Sequence, residues 1–236
     1  MRYYPIFLRV HGRRCGVIGG GEVAERKTLS LLAAGASVTV ISPRVTEELA
    51  RRARMGEIEH WNRRYRTGDV RGFFLAYAAT NDDALHAEIA REAAASGVLL
   101  NVVDRPELCT FIVPAVMTRG DLTVAVSTGG GSPALAKQVR ETIAAVLGPE
   151  YETALDLLSR IRERLGSLAL PSSERQRILR DLVASELLEY VRIGDAAGIN
   201  RVLTCHVGNG VSLATLGVRL EDGRIDPNRE TAGKVM

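Results

Sequence analysis

The sequence predicts an α/β fold: a Rossmann-like parallel sheet domain, a small strand excursion, and then a helical dimerisation domain. Three observations carry this. Short apolar runs alternate with amphipathic helical stretches through the first hundred or so residues, as in strands joined by crossover helices. The first run ends in Gly19-Gly20-Gly21 directly before a helical stretch, where doubly wound folds turn tightly from strand to helix. After Gly148-Pro149 the apolar runs give way to charged helical sequence.

The elements follow in order. Residues 15–18 form the first strand. Residues 22–34 read as a helix, with Val23, Ala24, Leu29, Leu31 and Leu32 among charged neighbours, stopped at Gly35. Residues 37–41 are mostly β-branched, a strand signal that Pro43 ends. A polar helix over 45–55 and a short strand over 58–61 come next. The apolar run 73–80 suits a buried strand. A helix over 82–96 carries Ala84, Leu85, Ile89, Ala90 and Ala93 on one face, Gly97 caps it, and 98–103 is a further strand. Residues 111–113 and 122–127 read as strands around the turn Arg119-Gly120-Asp121, and 133–147 as a helix.

Residues 150–194 are helical in pattern, interrupted at Gly166 and Pro171-Ser172-Ser173, with an apolar stripe of Leu155, Leu158, Ile161 and Leu165. A few charged helices bury little core by themselves, so a symmetric homodimer is expected. The expected division is 1–147 for the sheet domain with its strand excursion, 148–197 for the helical dimerisation and substrate domain, and 198–236 for a tail without assigned role.

Composition narrows the function. With 46% hydrophobic and 25% charged residues among 236, a disordered or fibrous chain is excluded. Lys+Arg 31 against Asp+Glu 28 gives a net charge of +3, too small an excess to argue for nucleic acid, and 5% aromatics offers few stacking platforms. No apolar run reaches the roughly 18 residues of a membrane helix, and no secretory leader is expected. Cys15, Cys109 and Cys205 are odd in number and far apart, which fits neither a zinc site nor a disulfide framework. They read as apolar fillers, and a cytoplasmic setting is expected. His11, His60, His86 and His206 lack metal-ligand spacing, so no metal site is expected, and these histidines read as surface or packing residues. No Gly-x-Ser-x-Gly elbow or Walker lysine supports a hydrolase or NTPase.

The chemistry-bearing residues cluster at predicted strand ends. In Gly19-x-Gly21-x-x-Ala24, Gly19 permits the tight turn, Gly21 lets backbone approach a pyrophosphate, and Ala24 keeps the helix close to the sheet. The helix start at Glu22 and Val23 faces the anion. Where a carboxylate commonly holds the ribose, the second strand ends in Ile41-Ser42-Pro43-Arg44. Arg44 would suit a 2′-phosphate, while Ser42 or backbone amides by Pro43 would suit a hydroxyl. On the residues alone NAD and NADP stay open.

Thr80-Asn81-Asp82 ends the fourth strand, beside a ligand or as a helix N-cap. Asn101-Val102-Val103-Asp104 ends the fifth. Asp104 is a candidate general base if burial raises its pKa, or a turn former before Arg105-Pro106. Ser127-Thr128-Gly129-Gly130-Gly131-Ser132-Pro133 is a second glycine-rich turn whose hydroxyls and amides could bind carboxylates or phosphates. Arg63-Arg64-Tyr65-Arg66 reads as a solvated edge.

Taken together, Tyr4-Pro5-Ile6-Phe7-Leu8, Val17-Ile18-Gly19-Gly20-Gly21-Glu22-Val23-Ala24-Glu25-Arg26-Lys27, Ala79-Thr80-Asn81-Asp82, Asn101-Val102-Val103-Asp104, Phe111-Ile112-Val113-Pro114-Ala115 and Val126 through Pro133 resemble the precorrin-2 dehydrogenases, the N-terminal domains of siroheme synthases. The resemblance implies NAD-dependent oxidation of precorrin-2 to sirohydrochlorin, with Asp104 as the catalytic aspartate. It implies a homodimer built through the helical domain and, in some relatives, insertion of ferrous iron at the same site. In the family the motif at Ile41-Ser42-Pro43 accompanies NAD. Ser42, Pro43 and Arg44 with Thr80 and Asn81 are the expected cofactor contacts, and Asn101, Ser127, Thr128, Gly129 and Gly130 the expected tetrapyrrole contacts. A fused uroporphyrinogen methyltransferase domain is not expected. Two other readings remain: an NAD(H)-sensing regulatory module without chemistry, which would need neither a carboxylate at 104 nor the second glycine turn, and an NADP-dependent reductase of a small metabolite, which Arg44 favours.

Overall fold

Five strands, β1 (Arg14–Ile18), β2 (Ser37–Ile41), β3 (Glu59–Trp61), β4 (Leu75–Ala78) and β5 (Leu99–Val102), pair in the order β3-β2-β1-β4-β5, every neighbour parallel. The computed structural model describes residues 3–218 and the backbone of two short strands, Leu220–Glu221 and Arg224–Ile225. Val17, Val40, Ala76 and Ala78 are fully enclosed. Strands covered on both faces read in sequence as unbroken apolar runs rather than alternations. The strand order reverses between β1 and β4, the switch point at which ligands of open α/β sheets bind.

Helices α1 (Glu22–Ala33), α2 (Glu47–Arg54) and α3 (Asp83–Ser96) cross between the strands. One core cluster joins Ala24 and Leu31 of α1 and Leu49 of α2 to Val17, Val38, Val40 and Leu75. A second joins Ile89 and Ala93 of α3 to Ile18, Ile41, Ala76, Ala78, Leu100 and Val102. Asp82 caps α3 by accepting from Leu85 N at 3.0 Å, and Gly97 ends it at φ 68°.

The expected strand over 111–113 does not form. Phe111 is drawn to the sheet instead: its ring meets Tyr77 edge-on at 5.7 Å and its carbonyl accepts from Asn101 Nδ2 at 3.0 Å. The excursion is the antiparallel pair β6 (Ala115–Arg119) and β7 (Leu122–Val126).

The chain divides into two compact units at a different place from the expected 147–148 boundary. The first runs to Val113 and takes in Gly129–Ser132; the second holds Pro114–Thr128 and the chain from Pro133. The physical reason is packing: α4 (Pro133–Val146) lies on the β6–β7 hairpin, and α5 (Glu150–Gly166) reaches β7.

The second unit has a core of its own, larger than charged helices alone suggested. With α6 (Ser172–Ala184), α7 (Leu187–Ile193) and α8 (Ala196–Val207), α5 encloses Leu157, Ile161, Leu165, Leu182, Val191, Ile199 and Leu203. The α5 stripe runs through Ala154, Leu157, Ile161 and Leu165, with Leu155 and Leu158 only half-buried. The expected tail from 198 begins inside α8, and Leu213 and Val218 complete the same core; beyond Val218 only the two short strands of that tail are among the described residues. No helix among the described residues is long and apolar enough to cross a membrane.

Ile89 is fully buried between α3 and the sheet. Ile89→Ala should lower stability by about 2–5 kcal/mol in urea unfolding followed by circular dichroism. A loss below about 1 kcal/mol would contradict this packing.

Candidate active site

The β1–α1 turn is shaped by close backbone approach. Gly19 has φ 124°, and a Cβ there would lie 2.2 Å from the Ala79 carbonyl oxygen; one on Gly20 would lie 2.0 Å from the Arg44 carbonyl oxygen. A Cβ on Gly21 would meet nothing within 4 Å, so that position opens outward. Gly21 is the N-cap of α1 and supplies no side-chain cap. The first amides of α1, from Glu22 and Val23 onward, lack intrahelical acceptors and suit a diphosphate. Gly20 was not singled out from the sequence, although three consecutive glycines were the signal for it.

Beside this turn a cavity of about 240 Å³ is lined by Val23, Ala79, Thr80, Asn81, Asp83, His86, Val103, Asp104 and Arg105. It sits off the carboxyl ends of β4 and β5, on the far side of the switch point from β2. The structure thus brings Val23, Thr80, Asn81 and Asp104 together. Asp83, His86 and Arg105 are additions. The trace of His86 in the sequence was a polar residue in step with Ile89 and Ala93 on the buried side of α3.

Asp104 is the single non-glycine residue with positive φ among the described residues, at 59°. Aspartate tolerates the left-handed region better than most residues, and such strain concentrates at functional positions. The surrounding turn holds it. Arg105 N donates to Val102 O at 3.3 Å, and the Cys109 thiol contacts Val102 O at 3.2 Å and Arg105 O at 3.3 Å. Burial pushes the Cys109 thiol up, as it does for Cys15, which suits packing rather than nucleophilic roles. Asp104 itself is exposed, so the burial expected of a general base is not supplied by this unit.

The remaining residues take other places. Asn101 does not line the cavity; its amide holds the Phe111 carbonyl. Ser42 is buried and its hydroxyl donates to Arg44 O at 2.6 Å, so it shapes the turn whose Pro43 and Arg44 are exposed. Ser127 and Thr128 belong to the second unit, Gly129 and Gly130 to the first. Among the described residues no cluster of three His, Cys, Asp or Glu could hold a metal.

Residues 6–115 match the NAD(P)-binding family model, and residues 119–145 match that of the sirohaem biosynthesis protein central region. Over both regions the chain is similar to proteins of siroheme biosynthesis. The siroheme synthase of Pseudomonas aeruginosa (strain LESB58) is 38% identical over 218 residues, 92% of this chain and 47% of that protein. That of Chromobacterium violaceum is 36% identical over 210 residues, 89% of this chain and 45% of that protein. The chain therefore spans about half the length of the curated relatives it matches. A solved structure titled "SirC, precorrin-2 dehydrogenase" superposes with a TM-score of 0.75 over 87% of this chain and 99% of that one at 24% identity, a shared fold. This superposition carries the Rossmann-like sheet followed by helices.

Two predictions follow from this geometry. Gly21→Asp places a carboxylate in the open space before α1 and should weaken NAD binding at least tenfold by titration calorimetry; intact binding would refute the diphosphate seat. Asp104→Gly relieves the left-handed backbone and should raise stability by up to about 1 kcal/mol, read in urea; a loss would mean the conformation is unstrained.

Proposed function

We propose that the chain oxidises precorrin-2 to sirohydrochlorin, with NAD as hydride acceptor, as a step in siroheme biosynthesis. The observation that carries this is Asp104, an exposed carboxylate held in the left-handed region at the rim of the cavity beside the dinucleotide turn. The names of the matched relatives, siroheme synthase and precorrin-2 dehydrogenase, support the substrate.

The residues fit the cofactor. The open face of Gly21 and the uncapped start of α1 suit its diphosphate, and the cavity past the switch point suits its nicotinamide end. NAD, when bound, supplies the acceptor for the electron pair of the C–H bond that breaks. Asp104 takes the proton lost as the new double bond forms. Its exposure leaves it open to a macrocycle too large to enter the cavity. The amides and hydroxyls of the turn from Ser127 to Gly130 suit the substrate's carboxylates, and Asn101 acts from behind by fixing the loop at Phe111. The exposed apolar side chains Val116, Val139 and Val146 support a homodimer through the second unit. The separated cysteines support a reducing, cytoplasmic setting.

Purified chain given precorrin-2 and NAD should develop the absorbance of sirohydrochlorin. Asp104→Ala should lower turnover by about 10²–10⁴-fold while NAD affinity stays within a few-fold. Unchanged turnover would remove Asp104 from the mechanism. With sirohydrochlorin and Fe(II) under anaerobic conditions, the chain should speed siroheme formation through the same aspartate. Equal rates with and without protein would confine it to the oxidation.

A further inference from the structure

The cavity holds a chemical feature that the proposed reaction does not use. His86 is 3% exposed, on the buried side of α3. Its Nε2 lies 3.0 Å from Thr80 Oγ1. Its Nδ1 is buried without a hydrogen-bond partner, and the Asp83 carboxylate is the nearest acid, with Oδ1 3.8 Å away. Asp83 is in turn gripped by the Arg105 guanidinium, whose Nε donates to Oδ1 at 3.1 Å and whose Nη2 contacts Oδ2.

A neutral imidazole carries one ring proton, and its neighbours decide which nitrogen holds it. A carboxylate beside Nδ1 attracts the proton there. Nε2 is then an acceptor, and the Thr80 hydroxyl must donate to it. With its proton committed, Thr80 Oγ1 has only lone pairs to offer. One faces Asp82 N at 3.4 Å, which leaves the other for the cavity, since Thr80 lines it.

We propose that His86, oriented by Asp83, is a positioning residue that commits the Thr80 hydroxyl to accept a hydrogen bond from a ribose hydroxyl on the nicotinamide side of the dinucleotide. This rests on the reading of the cavity as the cofactor's nicotinamide end and not on the identity of the substrate. Asp83, His86 and Arg105 touch no reacting atom in this scheme; they act through Thr80.

The test uses the full chain, NAD and no tetrapyrrole. Nitrogen-15 spectra of the wild type should show the His86 proton on Nδ1, and Asp83→Ala, a change at an exposed side chain, should move it toward Nε2 and weaken NAD. Thr80→Val and His86→Phe should each weaken NAD several-fold to about tenfold, the range of one hydrogen bond. The double variant should be no weaker than the worse single one, because the two share one interaction. A proton on Nε2 in the wild type, NAD affinity unchanged in Thr80→Val, or effects that multiply in the double variant would each overturn the proposal. If His86→Phe fails to fold, Asp83→Ala and Thr80→Val decide the matter by the same readouts. A wild type that binds NAD with these dependences but leaves precorrin-2 untouched would sink the dehydrogenase reading alone. One that does not bind NAD would sink both.

Discussion

The rest of the molecule depends on the approach of two carbonyl groups to the β1–α1 turn. Gly19 lies against the Ala79 carbonyl and Gly20 against that of Arg44, each closer than any side chain allows. Backbone hydrogen bonds bolt the same point. Gly19 N donates to Ile41 O at 3.0 Å, Ala79 N to Ile18 O at 2.7 Å, and Thr46 N to Gly20 O at 3.0 Å. The ends of β1, β2 and β4 are therefore fixed to one another without a side chain between them. The slot past β1 and β4 follows from this: Val23 faces it from one side, and Thr80 and Asp104 from the other.

Much of this was legible in the sequence because the same constraint writes both signals. Strands enclosed on two faces must be continuous apolar runs, and a turn pressed between carbonyls must be glycine. Where a residue's neighbour in space lies far along the chain, the reading failed. From Gly198 onward the sequence carries no pattern that places it, and the expected tail begins there. In the structure Gly198 sits in the first turn of α8 against the Tyr190 ring, where a Cβ would come within 2.4 Å. It marks a helix–helix contact. The α5 stripe failed in a similar way: leucines at 155, 157 and 158 allow several faces, and only the helices packed on α5 choose Leu157.

The candidate site divides along the same line. Thr80, Asn81 and Asp104 were legible because strand ends in a parallel sheet share one edge. Asp83, His86 and Arg105 were not, because their meaning depends on pairing across 22 residues of sequence between Arg105 and Asp83. Ser42 has a local role that the sequence did not show: its hydroxyl donates to the Arg44 carbonyl and shapes the turn.

The two neighbouring aspartates are held for opposite ends. Asp83 is neutralised by Arg105, the residue that follows Asp104. Among the described residues the Asp104 carboxylate makes no ion pair of its own. Arg105 thus spends its charge on α3, anchoring the turn and leaving the adjacent acid unpaired. Glycine would relieve the backbone at φ 59° but carry no carboxylate, and an extended residue would not close this turn. A carboxylate kept in a strained backbone, left unpaired while its neighbour's charge is satisfied, is an arrangement that stability alone does not explain. The proton-accepting role proposed for Asp104 needs that freedom, because an acid already tied to arginine would resist being protonated.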